Sequence, residues 1–252
     1  MRRFGLIGLP LSHSFSKNYF TAKFGKEDIT NAQYDLFPLE NIAQLPELIL
    51  TTPGLEGLNV TIPYKEAVIP YLDELDKTAL EVGAVNTICI QLKDSRPYLK
   101  GYNTDVFGFR QSIKPFLESH HERALILGSG GASKAVAHVL KEIGVAVYFV
   151  TRKKTPGTSN MFEYTELNEH IMRHFPLIIN TTPLGMYPNV DQAPDIPYEL
   201  LTDKHFLYDL IYNPEITRFM AEGKKRGAQS INGLSMLQQQ AEMAWKIWNK
   251  ER

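Results

Sequence analysis

Along this chain, apolar runs too short to be helices alternate with stretches whose apolar residues recur at helical spacing. Phe4 to Gly8 reads as a strand, and Phe15, Tyr19, Phe20 and Phe24 fall on one helical face. Tyr34 to Phe37 reads as a strand, and Asn41 is placed to cap a helix through Leu50. Leu55 to Ile62 predicts a strand, Lys65 to Leu72 a helix and Ala84 to Leu92 a strand. Alternation of this kind predicts an α/β unit with a largely parallel sheet.

A helix opens at Thr104 or Asp105, runs to about Leu117 and links two domains. After the polar break Glu118-Ser119-His120-His121-Glu122, Ala124 to Leu127 reads as a buried strand, Ala132 to Ile143 as a helix and Val145 to Val150 as a second strand. This βαβ pattern predicts a Rossmann-type domain, with further strands at Leu177 to Asn180 and Phe206 to Leu210. Residues 155–160 and 188–197 are polar, turn-rich loops. From Gly233 onward, Leu234, Leu237, Ala241, Ala244, Trp245 and Trp248 share one helical face, expected to pack back onto the first domain. The expected architecture is two α/β domains, residues 1–103 with 233–252 and residues 104–232.

Composition narrows the class. The chain has 252 residues, enough for two modest cores, and its 43% hydrophobic and 22% charged residues are ordinary for a globular enzyme. A net charge of −1 leaves no electrostatic footprint for nucleic acid, and Lys153-Lys154 and Lys224-Lys225-Arg226 are too short to change that. No apolar run approaches membrane-spanning length. Arg2-Arg3 before Phe4 to Leu11 has the look of a signal peptide, but Gly5, Gly8 and Pro10 break the run, so a first strand is the better reading. The one cysteine, Cys89, forms no intrachain disulfide, fits a cytoplasmic location, and reads as a buried small hydrophobe.

Three short runs carry candidate chemistry. Gly128-Ser129-Gly130-Gly131-Ala132-Ser133 follows a strand and opens a helix, the context of a dinucleotide turn. Gly128 permits the tight turn, and Gly130 lets backbone approach a pyrophosphate. N–H groups of Gly131 and Ala132 then face the anion, and the Ser133 hydroxyl adds a donor. The next strand ends Val150-Thr151-Arg152-Lys153, with no acid for the ribose hydroxyls of NAD; Arg152, helped by Lys153, suits the 2′-phosphate of NADP instead. Asn180-Thr181-Thr182-Pro183 lies where ligands bind at the carboxyl ends of parallel strands.

Lys65 follows Pro63 near a helix start, where a cation opposes the helix dipole. A solvated surface lysine is the plain alternative. Asp105 has a plain role too, since an acid in the first helical turn contributes about 0.3–1 kcal/mol. His170 and His174 lie four apart, but no Glu follows the first, so the zinc-protease pattern fails and no metal is expected. A Gly-x-Ser-x-Gly nucleophile turn is also missing.

Read together, the ordered runs resemble the shikimate dehydrogenase family over nearly the whole chain. They are Ser14-Phe15-Ser16, Asn59-Val60-Thr61-Ile62-Pro63-Tyr64-Lys65, Gly83-Ala84-Val85-Asn86-Thr87, Asn103-Thr104-Asp105, the glycine turn, Asn180 to Met186, Asp209-Leu210-Ile211-Tyr212-Asn213-Pro214, and Gly233 to Ala241. The resemblance implies a substrate domain at residues 1–103 with 233–252, an NADP-binding domain at 104–232, and reduction of 3-dehydroshikimate to shikimate with NADPH. Lys65 and Asp105 match the family's catalytic pair. Ser14 and Ser16 match its carboxylate-binding hydroxyls, and Asn59, Thr61, Asn86, Tyr212 and Gln240 its other substrate contacts. Asn180, Thr181 and Thr182 are expected on the nicotinamide side of the cofactor, and Gly233 among its other contacts.

The family usually follows its second serine with proline and then a His-Asn pair; here Ser16-Lys17-Asn18-Tyr19 has neither. Thr151 and Lys153 also depart from its usual Asn-Arg-Thr. A quinate-oxidising, NAD-using relative and a shikimate-sensing module without catalysis remain as alternatives. The expected partners are the small-molecule substrate and NADP, with neither nucleic acid nor membrane, in a monomer or homodimer.

Overall fold

Strand β1 (Arg2–Gly8) carries the buried run Phe4 to Gly8 and pairs in parallel with both β2 (Ala32–Pro38) and β3 (Leu55–Val60). The structure, a computed structural model, describes residues 1–11, 14–155 and 157–250; Pro156, in the predicted loop 155–160, lies outside them. The chain divides into two units, residues 1–107 with 240–252 and residues 108–239.

In the first unit the sheet continues through β4 (Glu74–Leu75), β5 (Thr87–Lys93) and β6 (Arg96–Tyr102) in the order β2-β1-β3-β5-β6-β4. Here the sequence expectation needs correction. The β3–β5 and β5–β6 pairs are antiparallel, so this sheet is mixed rather than largely parallel. The β5–β6 hairpin turns at Asp94 and Ser95, both in the left-handed region with φ of 50° and 63°. That is the backbone of a two-residue hairpin turn whose usual marker is Asn-Gly or Asp-Gly, and Asp-Ser hid it.

Two apolar clusters flank the elements of this sheet. Phe20 and Phe24 of α1 (Phe15–Lys26) meet Phe4, Leu6 and Tyr34, together with Ala241, Ala244 and Trp248 of the C-terminal helix (Leu234–Lys250). The return of the last helix onto the first unit is therefore as the helical stripe predicts. Cys89 is buried in the same cluster. The other cluster joins Ile7, Leu58, Val60 and Ile88 to Leu45 of α2 (Leu45–Thr51), Tyr64 of α3 (Tyr64–Ala67) and Ala79 of α4 (Lys77–Val82). Asn41 caps the start of the α2 region, its side chain accepting from the Ala43 N–H, as the sequence predicts.

Helix α5 (Thr104–Ile113) follows β6, and Asn103 Oδ1 accepts from the Val106 N–H at its start. The second unit then holds β7 (Arg123–Leu127), α6 (Gly131–Glu142), β8 (Ala146–Thr151), β9 (Met161–Glu163), α7 (Glu169–His174), β10 (Leu177–Asn180), β11 (Phe206–Asp209), α8 (Arg218–Lys225) and β12 (Gln229–Ile231). All its strand pairs are parallel, in the order β12-β11-β10-β7-β8-β9. The three-residue strands β9 and β12 were not predicted, being too short to show a period. The chain leaves β7 for β8 on one side, while β10 lies on the other, so β7 borders a topological switch point. Among the described residues no helix is long and apolar enough to cross a membrane.

Candidate active site

In the first unit, β3, α3, β5, α5 and the C-terminal helix bring five of the predicted residues into one hydrogen-bonded set. Lys65, on α3, donates from Nζ to Asp105 Oδ2 at 2.6 Å. The pair is only partly screened from water, with side-chain exposures of 18% and 10%. Asp105 lies in the first turn of α5, and its Oδ1 accepts from Asn86 Nδ2 at 2.9 Å. Both carboxylate oxygens therefore have donors, one cationic and one neutral, and the lysine keeps protons free for another acceptor.

Asn86 is itself fixed. Its Oδ1 accepts the Thr104 N–H at 2.7 Å and lies 3.2 Å from the donating Thr87 hydroxyl. Asn59, buried at the end of β3, donates from Nδ2 to Thr87 Oγ1 and to the Asn86 carbonyl, while its Oδ1 accepts from the Tyr34 hydroxyl at 2.8 Å. Because the Asn86 carbonyl can only accept, the Asn59 amide has one permitted orientation. Thr104 Oγ1 reaches Gln240 Oε1 of the C-terminal helix at 3.4 Å.

Ser16 is buried on α1 beside the Tyr34 hydroxyl, and burial pushes the Tyr34 phenol up from its ordinary range. The Ser14 hydroxyl oxygen is shut off from solvent and has no hydrogen-bond partner among the described residues. Thr61 is half-buried after β3, its N–H bonded to the Ile7 carbonyl. Tyr212 belongs to the second unit and follows β11.

The predicted cofactor residues other than Gly233, which follows β12, lie at the carboxyl ends of β10, β7 and β8. Gly128 has φ of +102°, and its N–H bonds the Val150 carbonyl at the end of β8. Gly130 has an ordinary extended φ, and a Cβ there would meet no protein atom within 4 Å. The chain's own packing therefore does not demand glycine at 130. The bare backbone leaves a cradle over the N-terminus of α6, whose first amides lack helical acceptors. Ser129 and Gly130 are exposed, Gly131 and Ala132 half-buried, and Ser133 turns its hydroxyl inward to the Gly130 carbonyl at 2.6 Å.

At the end of β8 the Thr151 hydroxyl donates to the Lys153 carbonyl. Arg152 and Lys153 are exposed and form no ion pair among the described residues, while Lys154 is engaged by Glu166. This arrangement fits a dinucleotide with a phosphate on its ribose. The bare cradle has room for a pyrophosphate, and the exposed Arg152 and Lys153 stand at the end of the neighbouring strand.

Asn180 turns its side chain inward. It is fully buried, donates from Nδ2 to Asp209 Oδ1 at 3.0 Å, and accepts from the Thr182 N–H and hydroxyl. Its side chain shapes the following loop rather than facing outward. The Thr181 hydroxyl likewise turns to the Leu127 carbonyl, and Gly233 is buried where a Cβ would run into the Leu210 carbonyl. Sequence reasoning missed Asp209, Thr87 and Tyr34 as parts of these networks; polar residues within otherwise apolar strands are the signal that marks them.

Asp209 is fully buried and accepts from Asn180, the Ile211 N–H and the Thr217 hydroxyl. Burial pushes its carboxyl up from 3.8 to about 6, against the pull of those hydrogen bonds. A raised carboxyl favours the protonated fold. The stability it contributes is full below the unfolded value near 3.8 and is lost as pH rises through about 6. The loss amounts to about 3 kcal/mol. Denaturant unfolding of the parent and of Asp209→Asn between pH 4 and 7 is expected to diverge by about that amount, the parent losing more. Parallel curves would sink this assignment.

The residues 6–88 match the model of the shikimate dehydrogenase substrate binding domain. A shikimate dehydrogenase (NADP(+)) of Clostridium beijerinckii is 38% identical, over 99% of this chain and 93% of its own. The chain belongs to the shikimate dehydrogenase family. Among solved structures, shikimate dehydrogenase 1 from Peptoclostridium difficile is 38% identical with a TM-score of 0.85, covering 99% of this chain and 92% of that one. The Thermus thermophilus shikimate 5-dehydrogenase in complex with NADP(H) and shikimate is 30% identical with a TM-score of 0.83, covering 98% and 93%. Against that family background, the departures Lys17 and Asn18 fall on the exposed side of α1, while Ser16 stays buried.

Proposed function

We propose that this protein is an NADP-dependent shikimate dehydrogenase, reducing 3-dehydroshikimate reversibly to shikimate on the route to aromatic amino acids. The observation that carries the reading is the Lys65–Asp105 pair, held on its far side by Asn86. When bound, NADPH supplies a hydride to the carbonyl carbon. Lys65 hydrogen-bonds the carbonyl oxygen and delivers the proton that turns it into a hydroxyl, directly or through one water. Asp105 keeps the ammonium aimed and accepts from a neighbouring substrate hydroxyl.

Ser14 and Ser16 take the substrate carboxylate. A buried hydroxyl with no partner, as at Ser14, is a donor left for a ligand to satisfy. Asn59, Thr61, Asn86, Gln240 and Tyr212 take the ring hydroxyls, and each hydroxyl missing from an analogue would leave a buried partner unpaired. Residues 128–133 would hold the cofactor's pyrophosphate, Thr151, Arg152 and Lys153 its 2′-phosphate, and residues 180–182 with Gly233 its nicotinamide end.

The test is cofactor absorbance with shikimate or quinate and NADP or NAD in each combination. Rapid NADP reduction with shikimate alone is expected; reduction only with quinate and NAD, or none, would reject the reading. Arg152→Ala is expected to raise the KM for NADP about ten- to a hundred-fold, the worth of a charge-assisted contact, and leave NAD within about two-fold. Equal effects on both cofactors would remove Arg152 from phosphate recognition.

A further inference from the structure

Thr87 opens β5 and is wholly buried, yet its hydroxyl sits between the two amides of the candidate site. The oxygen accepts from Asn59 Nδ2 at 3.1 Å, and the hydroxyl donates toward Asn86 Oδ1 at 3.2 Å. It also lies 3.1 Å from Thr104 Oγ1, which leads to Gln240. One hydroxyl thus touches three side chains around the ion pair.

We propose that Thr87 is a positioning residue for the dehydrogenase reaction, its hydroxyl bridging Asn59 and Asn86 and holding in place the amide faces that the Asn86 carbonyl and the Thr104 N–H set. The inference rests on the function proposed above. By accepting from Asn59 it helps the Asn86 carbonyl hold that amide's N–H groups inward and leaves one Oδ1 lone pair, the other being taken by the Tyr34 hydroxyl, for a substrate hydroxyl. By donating to Asn86 Oδ1 beside the Thr104 N–H, it helps keep that amide's Nδ2 toward Asp105, and so toward the partner of Lys65. Asn86 keeps one N–H for the substrate. The site then offers a fixed pattern, an acceptor at Asn59 and a donor at Asn86.

Two substitutions separate this role from packing. Thr87→Val keeps the branched shape suited to a buried strand and removes the hydroxyl. Thr87→Ser keeps the hydroxyl and removes a methyl, opening a small cavity. Packing alone ranks Val above Ser. Positioning ranks Ser above Val.

The expected result is that Thr87→Val lowers kcat/KM for shikimate by about ten- to a hundred-fold, with the KM for NADP unchanged, because two buried amide groups lose a partner. Thr87→Ser is expected to stay within about three-fold of the parent, even where its melting temperature falls below that of Thr87→Val. Shikimate affinity by calorimetry is expected to follow the same order. If both variants track their melting temperatures, or if Thr87→Val matches the parent, the inference is overturned while the proposed function stands. A parent that neither binds nor turns over shikimate overturns both.

Discussion

Lys65→Ala is expected to lower kcat with shikimate by about a hundred- to ten-thousand-fold, the range for loss of a positioned acid/base. NADP affinity is expected to be unchanged, since the cofactor residues lie on other elements and in the second unit. Lys65 is the group with transferable protons closest to Asp105, at 2.6 Å, and Asn86 occupies the other oxygen. No neighbour in this set carries a second ammonium to take over. Removing the amine also leaves Asp105 short of its cationic partner, so a modest stability loss is expected, limited by the partial exposure of both side chains. Asp105→Asn should cost less in kcat, because the amine remains but loses its anchor. The double variant should fall close to Lys65→Ala alone, as groups acting as a unit are not additive. Steady-state kinetics with thermal melts decides it: a Lys65→Ala enzyme within a few-fold of the parent ends the catalytic assignment.

How far these features were legible in the sequence varies with the kind of signal. The β7-α6-β8 unit was readable because its apolar runs are long and its turn needs Gly128 at positive φ. The β5–β6 hairpin was not, since Asp94-Ser95 adopts a left-handed pair without the usual residues. Lys65 and Asp105 stood out through the family resemblance, because a lysine near a helix start and an acid in a first turn each have an ordinary explanation. Distances across 40 residues of sequence joined them. Thr87 was hidden for another reason. A threonine opening a strand is what β propensity expects, and only burial against two amides gives its hydroxyl a task. Asn180 was picked out from its loop motif, but the sequence did not show that its side chain faces Asp209.

Trp248→Ala is expected to destabilise the first unit by about 3–5 kcal/mol, the cost of emptying a large buried aromatic site. The indole is 2% exposed and stacks on Phe4 at 4.8 Å between centroids. It packs on Phe20 at 5.6 Å and donates from Nε1 to the Ile88 carbonyl at 3.0 Å. Deleting it opens a cavity and removes a donor from a buried carbonyl of β5, the strand that begins at Thr87. The effect reaches the candidate site along the helix. Gln240, Ala244 and Trp248 are spaced four residues apart and share one helical stripe, so the indole anchors the face that presents Gln240 to Thr104. Protein that remains folded should therefore show a raised KM for shikimate as well. Trp248→Phe keeps much of the aromatic packing and should cost less than half as much. Circular dichroism during denaturant unfolding avoids the lost fluorophore, and saturating shikimate should recover part of the loss by binding only the folded unit. A cost under about 1 kcal/mol would mean that the C-terminal helix is held by its small residues alone, and the link from Trp248 to Gln240 would have to be abandoned.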